Sequence, residues 1–140
     1  MPSPRGQPAR ICQVASNISN TMIDTHRVMA HLLSDAIPTL GERARAEVLR
    51  LAAHYESLAQ EWLRNGSSPV DAQRDVESAI VDGLQETAHD LFWDTTWPAC
   101  PRHRNHPLWY NAVREAWCCE EDGSVFVPLG KLAEPRSPAP

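Results

Sequence analysis

The feature that most restricts what this chain can fold into lies in its last third. A proline-rich segment from Trp97 to Leu132 carries Cys100, His103, His106 and the adjacent pair Cys118-Cys119. Pro98, Pro101, Pro107 and Pro128 rule out one continuous helix there, because proline lacks the amide hydrogen and clashes with the preceding turn. A segment this short has too little apolar surface to support a core of its own. Bound metal would supply much of its folding energy.

The run Cys100-Pro101-Arg102-His103-Arg104-Asn105-His106 places a thiol, an imidazole three residues on and a second imidazole three beyond that. Zinc favours a tetrahedron of thiolate and imidazole ligands, often drawn in pairs from two local turns. Cys100 and His103 form the first pair. Neighbouring residues on a strand face opposite sides, so Cys118 and Cys119 do not both reach one ion. Cys119 is preferred because it directly precedes the Glu120-Glu121-Asp122-Gly123 turn, and Cys118 stands as its substitute. For the fourth ligand His106 leads Asp122. The expected set is Cys100, His103, His106 and Cys119 around a structural zinc, weighed against a polar, aromatic loop cluster that holds no ion.

Trp97-Pro98-Ala99-Cys100-Pro101-Arg102-His103, His106-Pro107-Leu108, Trp117 with Cys119, and Val127-Pro128-Leu129-Gly130-Lys131-Leu132 together resemble a zinc-ribbon-type tail found in uncharacterised proteins of high-GC bacteria. The resemblance covers about a quarter of the chain. It implies a bacterial source and a metal-binding ribbon, but no activity. Cys118 and Glu120 depart from the pattern, where an ordinary residue and often a proline would flank the second cysteine.

The ribbon's strands are expected at Leu108-Trp109-Tyr110, Ala116-Trp117-Cys118 and Ser124-Val125-Phe126-Val127, as two small hairpins with Glu121-Asp122-Gly123 turning between the last two. Trp93, Trp97, Trp109 and Trp117 crowd around this region. They read better as cover for a small core than as a stacking platform, since large aromatics dominate such cores.

The preceding sequence is helical in period. Ile18, Met22, Met29, Leu32 and Leu33 mark a first amphipathic helix from Ser16 to about Ala36. The segment Ile37-Pro38-Thr39-Leu40-Gly41-Glu42 breaks it, and Thr39 with Glu42 has the form of a capping box. Ala44, Val48, Leu51, Tyr55, Leu58 and Trp62 then line a seam on a second helix that ends at Asn65-Gly66. Ser68-Pro69-Val70-Asp71 starts a third. Its buried side is Val76, Ile80, Leu84, Leu91 and Phe92, as far as about Trp93, with Gly83 a weak point or a close-packing position. Short connections favour antiparallel neighbours.

The expected architecture is therefore mainly α: an antiparallel three-helix bundle over residues 16–96 with a zinc-ribbon-like β-hairpin module over 97–132. A disordered lead-in (1–15) and a disordered tail (133–140) flank it. Cys12, alone in the lead-in, is assigned no role. His26, His31, His54 and His89 suggest a di-metal bundle only weakly, because Glu86-Thr87-Ala88-His89 is a single Glu-x-x-His motif without a second copy.

Charge narrows the function. The chain carries a formal charge of −5, and residues 17–96 hold six arginines against thirteen acids. Such a surface repels phosphate backbones. Arg102, Arg104 and Arg114 form only a small basic region on the ribbon. No phosphate loop, nucleophile elbow or zinc-protease helix is present. These features point to a non-catalytic protein-interaction adaptor or accessory subunit, ahead of a nucleic-acid-binding regulator and a zinc-dependent hydrolase. The expected partner is another protein. The first ten residues lack the apolar run of a secretory signal, and no stretch is long and apolar enough to span a bilayer, so a cytoplasmic location is expected.

Overall fold

A computed structural model describes residues 22–103, 105–123 and 126–134. The expectations for residues 1–15, for the helix start at 16–21, for Cys12, Arg104 and Ser124-Val125, and for the tail from 135 fall outside these residues. Among these residues three helices are followed by three short strands: α1 (His26–Leu40), α2 (Arg43–Arg64), α3 (Pro69–Asp90), β1 (Trp109–Asn111), β2 (Ala116–Cys118) and β3 (Phe126–Pro128). Each helix packs against the other two, and the short turns between them bring successive helices back side by side.

Among the described residues the first helix begins at His26, inside the span that the apolar period marks out. Residues 22–25 are not helical, because side chains offer their backbone a competing set of bonds. Gln73 pairs with both backbone groups of Asp24, accepting from its amide at 3.1 Å and donating to its carbonyl at 2.7 Å. The Asp24 carboxylate takes the His26 amide at 2.9 Å, and the buried Thr25 hydroxyl donates to Glu56.

The helix ends later than its apolar period suggests. Pro38 sits inside the last turn of α1, where its missing amide forfeits a single bond. The stop is Gly41, whose φ of +82° suits glycine and whose amide reaches the Ile37 carbonyl at 2.9 Å. The capping box does not form. Thr39 stays helical, Glu42 pairs with Arg45 at 2.9 Å, and Arg43 Nε instead caps the Leu40 carbonyl at 2.9 Å.

The α2 seam buries Ala44, Val48, Leu51, Ala52 and Ala59. On α3, Ser68 caps the Asp71 amide at 3.1 Å with Pro69 in the first turn, and Val76, Ile80, Val81 and Leu84 are fully buried. Gly83 is a close-packing position: a Cβ there would come within 2.8 Å of Leu51 Cδ2. The helix ends at Asp90, short of Trp93. The amides of Leu91 and Phe92 both bond the Thr87 carbonyl, at 2.8 and 3.1 Å, and that of Asp94 bonds Ala88 at 2.9 Å. Trp93 takes the left-handed position of this cap, with φ +60°. Leu91 and Trp93 consequently point outward, 68% and 86% exposed, whereas Leu91 was expected inside and Trp93 over the ribbon. Phe92 stays partly buried under the Arg43 guanidinium, 4.1 Å from the ring centroid.

The two expected hairpins share β2 and form one antiparallel sheet in the order β1-β2-β3. Its register places Tyr110, Trp117 and Val127 in one row and Trp109, Cys118 and Phe126 in the next. The first row faces the core. Trp117 is fully buried and stacks edge-on with Trp97 and Tyr110, at centroid distances of 5.5 and 5.9 Å. The second row faces outward, with Trp109 and Phe126 exposed.

The sheet and helices share one core, and two buried polar side chains join them. Asp35 of α1 accepts from Trp117 Nε1 at 2.9 Å and from the amides of Gly130 and Leu132 at 2.8 and 2.9 Å. Gln85 of α3 donates through Nε2 to the carbonyls of Trp97 and Leu108, at 3.3 and 2.7 Å. No helix among the described residues is long and apolar enough to cross a membrane.

Candidate metal centre

The site is built by two turns that the sheet brings face to face. Residues 98–103 and 105–108 lie back to back: the Leu108 amide donates to Pro98 at 2.7 Å and the Cys100 amide to His106 at 3.2 Å, around an antiparallel bridge between Ala99 and Pro107. Asn105, with φ +63°, rounds the bend. Cys100 and His106 are thereby set side by side. The second turn begins where β2 ends, with the Gly123 amide bonded to the Cys119 carbonyl at 3.1 Å.

Cys100, His103, His106 and Cys119 converge there. One ligand atom from each lies within 4.8 Å of all the others. His103 Nδ1 is 3.4 Å from Cys100 Sγ and 3.3 Å from Cys119 Sγ, while His106 Nε2 is 3.4 Å from Cys119 Sγ. With zinc bonds of about 2.3 Å to sulfur and about 2.0–2.1 Å to nitrogen, a tetrahedron has sulfur–nitrogen edges of roughly 3.6 Å. The observed separations are close to those edges. The two thiols are buried, and the imidazole rings lie 5.0 Å apart, tilted by 35°.

This cluster could hold a metal ion. Two sulfur and two nitrogen donors suit zinc and other soft or borderline transition metals, whereas calcium and magnesium require oxygen. Burial pushes the Cys100 thiol up, but the amides of Arg102 and His103, the His103 ring and Cys119 outweigh it and hold Cys100 below its ordinary value. The Cys100 sulfur in turn raises His103 against its desolvation, with Glu121 and Asp122 adding to the rise. Among the described residues it is the one group of three or more potential ligands close enough together to share an ion.

No protein family, curated protein or solved structure matches the chain.

The alternatives weighed from sequence fall elsewhere. Cys118 lies on the outward row, its thiol donating to the Ala116 carbonyl at 3.7 Å, and burial pushes it up. Asp122 stands behind His103, 3.8 Å from its Nε2. Arg102 lies 3.8 Å from Asp122, and Arg114 covers the Phe126 ring at 5.4 Å. The helical histidines do not meet in the bundle. His31 bonds the Leu129 carbonyl at 3.0 Å, His89 bonds that of Trp97 at 2.8 Å, His26 pairs with Asp24, and His54 stacks on Tyr55.

Sequence reasoning missed Asp35 and Gln85, the groups that fix the ribbon on the helices. The signal for Asp35 was its position between Leu32 and Ala36 on the apolar face of α1, where a carboxylate must find partners to be buried.

Proposed function

We propose that the protein is a non-catalytic interaction adaptor or accessory subunit in which zinc has a structural role. The observation that carries this reading is the convergence of four protein side chains, two thiols and two imidazoles, on one point. Four protein ligands complete a tetrahedron and leave no position for a water or substrate, the pattern of structural rather than catalytic zinc. A zinc hydrolase would need one of those places open.

The binding role is supported by apolar side chains left outside the core: Leu91 and Trp93 at the end of α3, and Trp109 and Phe126 on the open row of the sheet. Aromatic residues of this kind anchor protein interfaces. They could also stack nucleobases. The surroundings of Trp109 favour a protein partner, because Asp82, Glu86, Asp90 and Glu120 line the same cleft of about 470 Å³ and would repel a phosphate backbone.

Two measurements test the proposal. Elemental analysis of purified protein should give one zinc per chain, and its removal should unfold the ribbon. Affinity capture should retain a protein partner that Trp93→Ala or Trp109→Ala loses. A strict monomer by light scattering that captures no partner would refute the adaptor reading, and salt-dependent binding to DNA or RNA would favour the regulator instead.

A further inference from the structure

His103 and His106 turn different nitrogens toward the thiols. His106 presents Nε2, 3.4 Å from Cys119 Sγ, whereas His103 presents Nδ1 to both sulfurs. That leaves His103 Nε2 facing away from the cluster, where it lies 3.4 Å from Glu121 Oε2 and 3.8 Å from Asp122 Oδ2. The two carboxylates come from the turn that follows Cys119. Gly123, at φ +65°, closes it by returning its amide to the Cys119 carbonyl, so the turn that supplies a ligand also curls its acids behind another.

We propose that Glu121 and Asp122 form an acidic outer shell of the metal centre, positioning His103 so that Nδ1 is its ligand atom and Nε2 carries the hydrogen. A neutral imidazole has one lone pair to give, and the nitrogen that gives it is decided by what holds the other nitrogen's hydrogen. A carboxylate behind the ring both fixes the orientation and makes the ligating nitrogen a better donor, and loss of such a partner typically weakens metal binding about 10–100-fold. His103 is the ligand that needs this help. Its side chain is 30% exposed, and its Nδ1 stands beside sulfurs drawn from two separate turns. Asp122 is itself steadied by Arg102 at 3.8 Å, which places residues from both turns in the shell. Two thiolates already balance the charge of a divalent ion, so the acids serve behind the ring and not as additional ligands.

This inference rests on the metal reading, and the experiment separates the two. Full-length protein is titrated with zinc against a chromophoric chelator, comparing wild type with Glu121→Gln, Asp122→Asn and the double variant. Nitrogen-15 spectra of the zinc-loaded wild type report the tautomer of each histidine. The expected result is one zinc per chain throughout, affinity weakened about tenfold or more in the double variant, and wild-type spectra with hydrogen on Nε2 of His103 and on Nδ1 of His106. A double variant within twofold of wild type, or zinc on Nε2 of His103, overturns the outer shell while leaving the centre intact. Wild type that binds no zinc overturns both.

Discussion

Replacing Asp35 tests how the ribbon is held on the helices. Its Oδ2 receives Trp117 Nε1 and the Gly130 amide, and its Oδ1 receives the Leu132 amide. Asparagine has the same shape but one acceptor. Turned to keep its oxygen toward Trp117 and Gly130, it sets its NH₂ against the Leu132 amide, and turned the other way it faces two donors. Hydrogen bonds to a charged group are worth about 1.5–3 kcal/mol each, and a buried donor left without a partner costs a similar amount. Asp35→Asn should therefore destabilise the protein by about 2–3 kcal/mol, and Asp35→Ala, which strands all three donors, by about 3–5 kcal/mol. Burial, opposed by the Trp117, Gly130 and Leu132 bonds, leaves the Asp35 carboxyl above its ordinary value. The folded state then binds that proton more tightly than the unfolded state, so this contribution is full below the ordinary carboxyl range and declines as pH rises through the folded value. The gap to Asp35→Asn is thus narrowest at neutral pH, and neutral pH is the stringent condition. The assay is urea unfolding of zinc-loaded protein followed by tryptophan fluorescence, with metal content measured in parallel. An Asp35→Asn protein within about 0.5 kcal/mol of wild type, the range of ordinary surface changes, would refute the latch.

Other perturbations have equally definite outcomes. Cys100→Ser and Cys119→Ser should each lose zinc in elemental analysis, whereas Cys118→Ser, altering an outward side chain, should retain it. Gly130→Ala should cost about 1–3 kcal/mol in urea unfolding, because φ there is +92° and a Cβ would overlap the His31 ring. Glu47 is held below its ordinary value by Arg50, against partial burial and with help from the Thr87 hydroxyl. Its stabilisation is therefore present above the ordinary carboxylate range and lost as pH falls through the lowered value. A Glu47→Gln protein should be weaker by about 1 kcal/mol at neutral pH, converging with wild type on acidification in parallel unfolding curves. An unchanged gap at acid pH would contradict that pairing.

The helices were legible because their stripes of Val76, Ile80 and Leu84, or Val48 and Leu51, follow from a period that is local. The ribbon was legible through donor chemistry, since few side chains bind metal and their spacing limits which can meet. What sequence obscured is set by distant contacts. Gln73, on another helix, holds residues 22–25 out of a helix that Met22 would otherwise extend. Within the breaking segment 37–42 it is Gly41 that ends α1, because a proline in a last turn forfeits little. The left-handed cap at Trp93 swings two large side chains outward where a continued helix would have placed Leu91 inside. The shared β2, by contrast, was legible, since three strand candidates can form two hairpins only with the middle one in common.

The Asp35 latch also sets an order of assembly. Its partners lie 82 to 97 positions further along the chain, and a growing chain folds from its first residues onward. While the protein is being made, the three helices leave the ribosome before the segment that carries Gly130 and Leu132, and over that interval α1 presents a carboxylate on its apolar face without these native donors. Native burial of that face must wait for the last turn of the ribbon to arrive. The nascent helices are therefore an open cradle, closed only once the segment around Leu132 has been added.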